Sequence, residues 1–116
     1  MKKLAVCLLM IGITVAIRAQ ETESRKLHAL FEREWQWTLE SYPTFASFLG
    51  DKRYNSRWED RSLTAIAARN RRSVEALAEL KKIDRAKLST ADRVNYDLFQ
   101  NSYESSITIC KKKENG

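Results

Sequence analysis

Residues 42–61 read YPTFASFLGDKRYNSRWEDR, from Tyr42 to Arg61. This stretch interrupts the helical periodicity of the chain. Pro43 has its φ preset and suits the first position of a helix. Phe45, Phe48 and Leu49 come next at helical spacing, and Gly50 can supply a left-handed stop. The spacing predicts a short helical turn over Pro43 to Leu49, then an irregular loop. The loop, Asp51 to Trp58, is too charged to bury unpaired and too aromatic for a mere linker. Arg53, Arg57 and Arg61 alternate with Tyr54 and Trp58, as in a nucleic-acid grip. Asp51, Glu59 and Asp60 in the same stretch argue against that partner, and pairing of Arg with carboxylate within a packed loop explains the residues more simply.

Helical patterns lie on both sides. Before the loop, Leu27, Leu30, Phe31, Trp35 and Thr38 keep an i, i+3, i+4 rhythm, predicting a helix from about Thr22 to Glu40. Trp37 lies off that stripe. After the loop, Ser62 is a good N-cap. Leu63, Ile66, Ala67, Val74, Leu77 and Ala78 predict the buried face of a second long helix, with Lys81 and Lys82 suited to its C-terminal end. Glu75, Glu79 and the Arg69, Arg71, Arg72 cluster read as its solvated face. Asp84 can cap a one-turn connector. Ser89 and Asp92 form an S-x-x-D capping box. Ala91, Val94, Leu98 and Phe99 give a third stripe, flanked by Tyr96 and Tyr103, to about Ser105. Residues 106–116 read as an irregular basic tail. The fold class is all-α, with about three longer amphipathic helices and short connectors. Trp35, Trp37, Trp58, Tyr42 and Tyr54 are more aromatic surface than so thin a core covers, so the unit reads as incomplete as a domain.

The first 19 residues read as a secretory signal peptide rather than as fold. Met1-Lys2-Lys3 is a basic start, Leu4 to Ile17 an apolar run, and Ile17-Arg18-Ala19 a cut site. The run is 14 residues long, short of the roughly 20 that a spanning helix needs. A lipoprotein reading through Cys7 is weak because Val6 is bulky beside it. The expected location is the periplasm or the extracellular space, with no stable membrane span after cleavage. Cleavage after Ala19 leaves 97 residues and lowers the net charge from +6 to +3. Much of that excess sits in Lys111, Lys112 and Lys113. The high isoelectric point therefore does not imply nucleic acid or anionic membrane. Cys110 remains alone and forms no internal disulfide.

No complete catalytic, cofactor-binding or metal-binding set is present. His28 is the single histidine and reads as a boundary or surface residue. A zinc hydrolase needs several clustered ligands and a base. No nucleophile motif supports a serine mechanism, and the glycines are too scattered to cradle phosphate. The carboxylate pairs Glu59-Asp60 and Glu75/Glu79 read as surface charge; acid–base work would need a pocket that separates their pKa values. The chain is therefore expected not to be an enzyme.

Two blocks carry a resemblance. The order Pro43-x-x-Ala46-x-x-Leu49-Gly50-Asp51-x-Arg53-Tyr54-x-x-Arg57-Trp58, then Ile83-Asp84 and Leu88-Ser89-x-x-Asp92-Arg93-x-Asn95-Tyr96-Asp97-Leu98, resembles the start of the bacterial "domain of unknown function 885" family over roughly residues 24–100. The resemblance implies a mainly helical, exported protein, usually several times longer. Its later portion would carry an HExxH zinc helix and metal-dependent peptidase or hydrolase chemistry. No residue here aligns with HExxH. Zinc is thus implied for full-length relatives and for no residue of this chain. After Gln100 the pattern is expected to depart from the family, as a truncation before the catalytic region would produce. The implied partner is the missing C-terminal catalytic body or another protein. A free-standing secreted helical binding module, docking through Trp37, Tyr42 and Trp58, is the alternative. An enzyme built on carboxylates or on an oligomeric metal site is a further rival.

Overall fold

The computed structural model describes the backbone of residues 2–116 and the side chains of residues 10, 12–113, 115 and 116. Met1 and the side chains of Lys2, Lys3 and Cys7, which the leader and lipoprotein readings use, lie outside the described residues. The described residues form four α-helices: α1 Lys2–Ser41, α2 Pro43–Phe48, α3 Leu63–Lys81 and α4 Thr90–Glu114. Single 3₁₀ turns, Lys52–Tyr54 and Arg85–Lys87, sit in the two connectors. No strand occurs among the described residues, and the fold is all-α as the periodicity implies.

α1 starts earlier than the hydrophobic stripe predicts. Nothing between the apolar run and Thr22 stops a helix, because Arg18, Ala19, Gln20 and Glu21 are all compatible with one. The two segments form one helix of 40 residues, about 60 Å long at 1.5 Å per residue. That rod sets the shape. The radius of gyration is 20.0 Å, against about 13 Å for a compact chain of this length.

The stop signals act as their chemistry requires. Pro43 holds Tyr42 out of the helical region, at φ −125° and ψ 71°. α2 ends in a complete Schellman motif: Asp51 N–H reaches the Ala46 carbonyl at 2.9 Å and Gly50 N–H the Ser47 carbonyl at 3.0 Å. Gly50 has φ 87°, where a Cβ is strained. Ser62 Oγ accepts from Ala65 N–H, Asp84 from Ala86 N–H and Ser89 Oγ from Asp92 N–H, so all three caps read from the sequence form.

The core is small. Leu27 and Leu30 of α1, Leu80 of α3, Ile83 and Leu88 of the connector after it and Tyr96 of α4 form one cluster, with Phe31, Leu77 and Phe99 packed on it. Leu39 and Ala46 are buried separately where α2 folds back on α1.

The buried faces of α3 and α4 differ from the predicted stripes. On α3, Ala76 and Leu80 are buried, whereas Leu63 is 85% exposed and Ile66 and Val74 also face outward. On α4, Asp92 and Tyr96 are buried while Val94 and Leu98 are exposed. Trp35, expected on the buried stripe of α1, is 44% exposed. The cause is polar: buried Glu34 and Asp92 rotate the helices to faces that an aliphatic count does not find.

The tail is also helical. Ser106 Oγ and Thr108 Oγ1 donate back to the Ser102 and Glu104 carbonyls at 3.0 and 2.8 Å. Cys110 Sγ lies 2.9 Å from Asn70 Oδ1 of α3. Lys111, Lys112 and Lys113 fall in the last turn of α4, where cations complement the helix dipole. The expected irregular tail over 106–116 is therefore replaced by the end of α4.

Leu80→Ala should lower unfolding free energy by about 2–5 kcal/mol, as loss of a core leucine does. Leu63→Ala should change it by less than about 0.5 kcal/mol. Urea titration of the two variants checks this; equal losses would mean that the outer face of α3 is covered.

Candidate functional site

Three constellations join separate elements. The first ties the start of the body to α4. Ser24 Oγ donates to Asp92 Oδ2 at 2.6 Å, and His28 Nε2 lies 2.9 Å from Asp92 Oδ1. Serine, histidine and aspartate thus meet beside a cavity of about 560 Å³. The order of contact is wrong for nucleophilic catalysis. A serine nucleophile needs the imidazole as its base, with the carboxylate behind the imidazole. Here the carboxylate lies between the other two and accepts the serine proton itself. It serves to hold α1 against α4. The Ser24 hydrogen bond, helped by His28, keeps the Asp92 carboxyl below the usual range despite its burial. His28 has a largely exposed side chain, as a boundary histidine should. Glu23 acts in parallel: it accepts from Lys26 Nζ at 2.7 Å and from Asp84 N–H at 2.8 Å, and both contacts lower its pKa.

The second constellation lies further along α1. Glu34 is 3% exposed. One carboxylate oxygen meets Arg72 Nη2 of α3, and the other accepts from Tyr103 Oη of α4 at 2.9 Å. Burial, then the Glu34 hydrogen bond and charge, push the Tyr103 phenol well above its ordinary value. Arg72 also lies 3.7 Å from Glu79, which takes Arg33 of α1 at 2.5 Å. Arg72 and Glu79, read as a solvated face, therefore bridge α3 to α1. Beside this joint an open groove of about 330 Å³ runs between α1 and α4, walled by Phe31, Trp35, Leu98 and Phe99. Phe99 stacks on Tyr103 at 4.1 Å, and Phe45 of α2 meets Trp35 edge-on at 6.2 Å. Sequence reasoning missed the joint, because Glu34 carries no signal except its place beside a hydrophobic stripe.

The third is the loop. Asp51 grips Arg53 through both oxygens, the closest contact being 2.6 Å, and Arg53 Nη2 donates to Gln36 of α1 at 2.8 Å. Arg53 and Arg57 each place a guanidinium 5.3 Å from the Tyr54 ring centre. Arg57 reaches Glu40 at 3.5 Å, and Arg61 reaches Glu59 at 3.5 Å. The expected pairing of arginine with carboxylate holds. A cleft of about 440 Å³ opens between this loop, the end of α1 and the start of α3, with Trp37 and Trp58 in its wall.

The two sequence blocks resolve into joints. In Leu49-Gly50-Asp51-x-Arg53-Tyr54, Gly50 makes the turn and Asp51 clamps Arg53. In Asp92-Arg93-x-Asn95-Tyr96-Asp97, Asp92 ties α1, Arg93 donates to the Ala86 carbonyl at 2.7 Å, Tyr96 fills the core and Asp97 takes Arg85 in a fork at 2.8 and 2.7 Å. Asp51, Arg53, Arg93 and Asp97 are thus occupied in holding a connector.

The structure thus defines an all-α protein whose two sequence blocks lie at its connectors and at the start of α4. A family profile described as "Bacterial protein of unknown function (DUF885)" matches residues 43–113, and the chain belongs to that family. The match runs to Lys113, so the departure expected after Gln100 is not observed. Comparison with curated proteins and with solved structures finds no significant match. No group of three or more His, Cys, Asp or Glu among the described residues could hold a metal ion. The zinc that the resemblance implies for longer relatives thus has no fitting donor set in these residues. No helix of the described residues is long and apolar enough to cross a membrane.

Asp92 and Glu23 set a pH dependence. Their folded pKa values lie below the unfolded ones, near 3.9 and 4.3, so their stabilisation is complete above those values and is lost as pH falls through the folded ones. The chain should lose stability below about pH 4, and Asp92→Asn should flatten that loss. Circular dichroism melts between pH 6 and pH 2.5 check this; an unchanged acid limb in Asp92→Asn would rule out Asp92 as its source.

Proposed function

We propose that this chain is the exported helical N-terminal part of a family-885 protein, a packing module with no chemistry of its own. Its α1/α4 groove would seat a further helix of the catalytic body that the family resemblance implies. The observation that carries this reading is the apolar wall left uncovered there: Leu98 is 63% exposed and Trp35 nearly half exposed beside Phe31 and Phe99. Burial of apolar surface stabilises by roughly 25 cal/mol per Å², so such a wall favours association. Zinc-activated hydrolysis would belong to the longer relatives, in a region that this chain does not align with.

Export rests on the first 19 residues. Every described side chain from residue 10 to 18 is exposed, so this part of α1 adds nothing to the core and its removal leaves the packed cluster intact. A free-standing secreted module is the second reading, favoured by Trp58, which is 87% exposed.

The periplasmic fraction of an expressing bacterium should contain a chain that begins at Gln20; full-length chain confined to the cytoplasm would remove export. Purified, that chain should self-associate with concentration in sedimentation velocity and bind an apolar dye. Leu98→Glu with Trp35→Ser should reduce both while keeping the helical signal. A monodisperse, cooperatively melting monomer that ignores the dye would contradict the packing reading.

A further inference from the structure

The loop cleft uses none of the groove residues, and its chemistry is different. Its wall holds two charges of each sign: Arg57 and Arg69 against Glu40 and Asp60. Two of the four are already committed. Arg69 Nη1 donates to the Asp60 carbonyl at 2.8 Å, and its guanidinium lies 5.4 Å from the Tyr42 ring centre. Asp60 Oδ1 accepts from Ser62 N–H at 2.9 Å, at the mouth of α3. Arg57 and Glu40 are held loosely to each other, and the other contact of the Arg57 guanidinium is with the Tyr54 ring, which uses none of its N–H donors. Their contact is 3.5 Å and both side chains are about half exposed, at 51% and 58%. A hydrogen bond of that length is at the edge of effective geometry, so both groups retain capacity for a ligand. Arg53, a turn earlier, shows what a structurally spent arginine looks like in this loop.

Trp58 stands on the same cleft with its indole almost wholly in solvent, and Trp37 also lines it. The cleft volume falls in the usual range for small-molecule sites, about 300–1,000 Å³. An anionic ligand would meet Glu40 and Asp60 at short range, and a cationic one would meet Arg57 and Arg69. A neutral ligand that both donates and accepts satisfies Arg57 and Glu40 and sets no like charge against the other two. We propose that this cleft binds a neutral saccharide. Ring hydroxyls accept from Arg57 and donate to Glu40. The C–H face of a pyranose, weakly positive, lies on the negative π face of Trp58.

The test titrates the full chain, followed by intrinsic tryptophan fluorescence, with cellotetraose, maltotetraose, xylotetraose and tetra-N-acetylchitotetraose. Trigalacturonate and tetra-alanine amide are the anionic and peptide comparators. Saturable binding of at least one neutral tetrasaccharide is expected, with Kd below about 10 mM. Trp58→Ala should weaken it at least about tenfold and Glu40→Gln should also weaken it, with circular dichroism unchanged. Absence of binding by all four, binding that Trp58→Ala leaves unaltered, or tighter binding of trigalacturonate or the peptide would overturn the proposal. Self-association through the α1/α4 groove is untouched by these variants, so the two readings fail separately.

Discussion

The buried carboxylate of Glu34 is the constraint on which the arrangement of the long helices depends. An ionised carboxylate taken out of water costs several kcal/mol unless it is paired and hydrogen-bonded. α3 brings Arg72 and α4 brings Tyr103 to the same group. Arg72 fixes the rotation of α3, so that Ala76 and Leu80 turn inward one and two turns later. Tyr103 fixes α4, so that Phe99 and Tyr96 follow it down into the core. Asp92 repeats the device a few turns away with Ser24 and His28. Between these two polar joints sits the small leucine cluster. It gains little from size, and the joints give it its geometry.

The same rotation explains what is left outside. Apart from Leu77 and Phe99 at their edges, the apolar stripes of α3 and α4 do not face inward while Arg72 and Tyr103 do. Leu63, Ile66, Val94 and Leu98 therefore line open surfaces, and Trp35 stands at the groove edge with Phe45 against it. The exposed apolar surface results from where the charges are buried. It is the surface on which the proposed packing role rests.

Local signals were legible and rotational ones were not. Pro43, Gly50, Ser62, Asp84 and Ser89 stop or start helices by backbone chemistry that involves only near neighbours, and each acts as its sequence context requires. Which face of a helix is buried depends on partners far along the chain. Glu34 and Tyr103 are 69 residues apart, and no periodicity connects them. Asp92 was visible only as half of a capping box, although its side chain turns to α1. The tail misled by composition: its serines and threonine close onto carbonyls one turn back, and its lysines suit a helix end. Of the candidate surfaces, the loop cleft was legible in its unusual density of arginine and aromatic residues. The α1/α4 groove was not, because it arises from the rotation.

The most direct measurement is thiol labelling at two engineered positions, with Cys7 and Cys110 replaced by serine. Ala76→Cys places a thiol in the core at a site with no exposure, and Leu98→Cys places one on the groove wall. At a chain concentration below that of self-association, maleimide should modify the Leu98→Cys chain at nearly the unfolded rate. It should modify the Ala76→Cys chain slower by about 100-fold or more, as expected where access requires opening of the fold. Equal protection at both positions would mean that the groove is closed; equal reactivity would mean that the joints do not hold α3 and α4 in the described rotation.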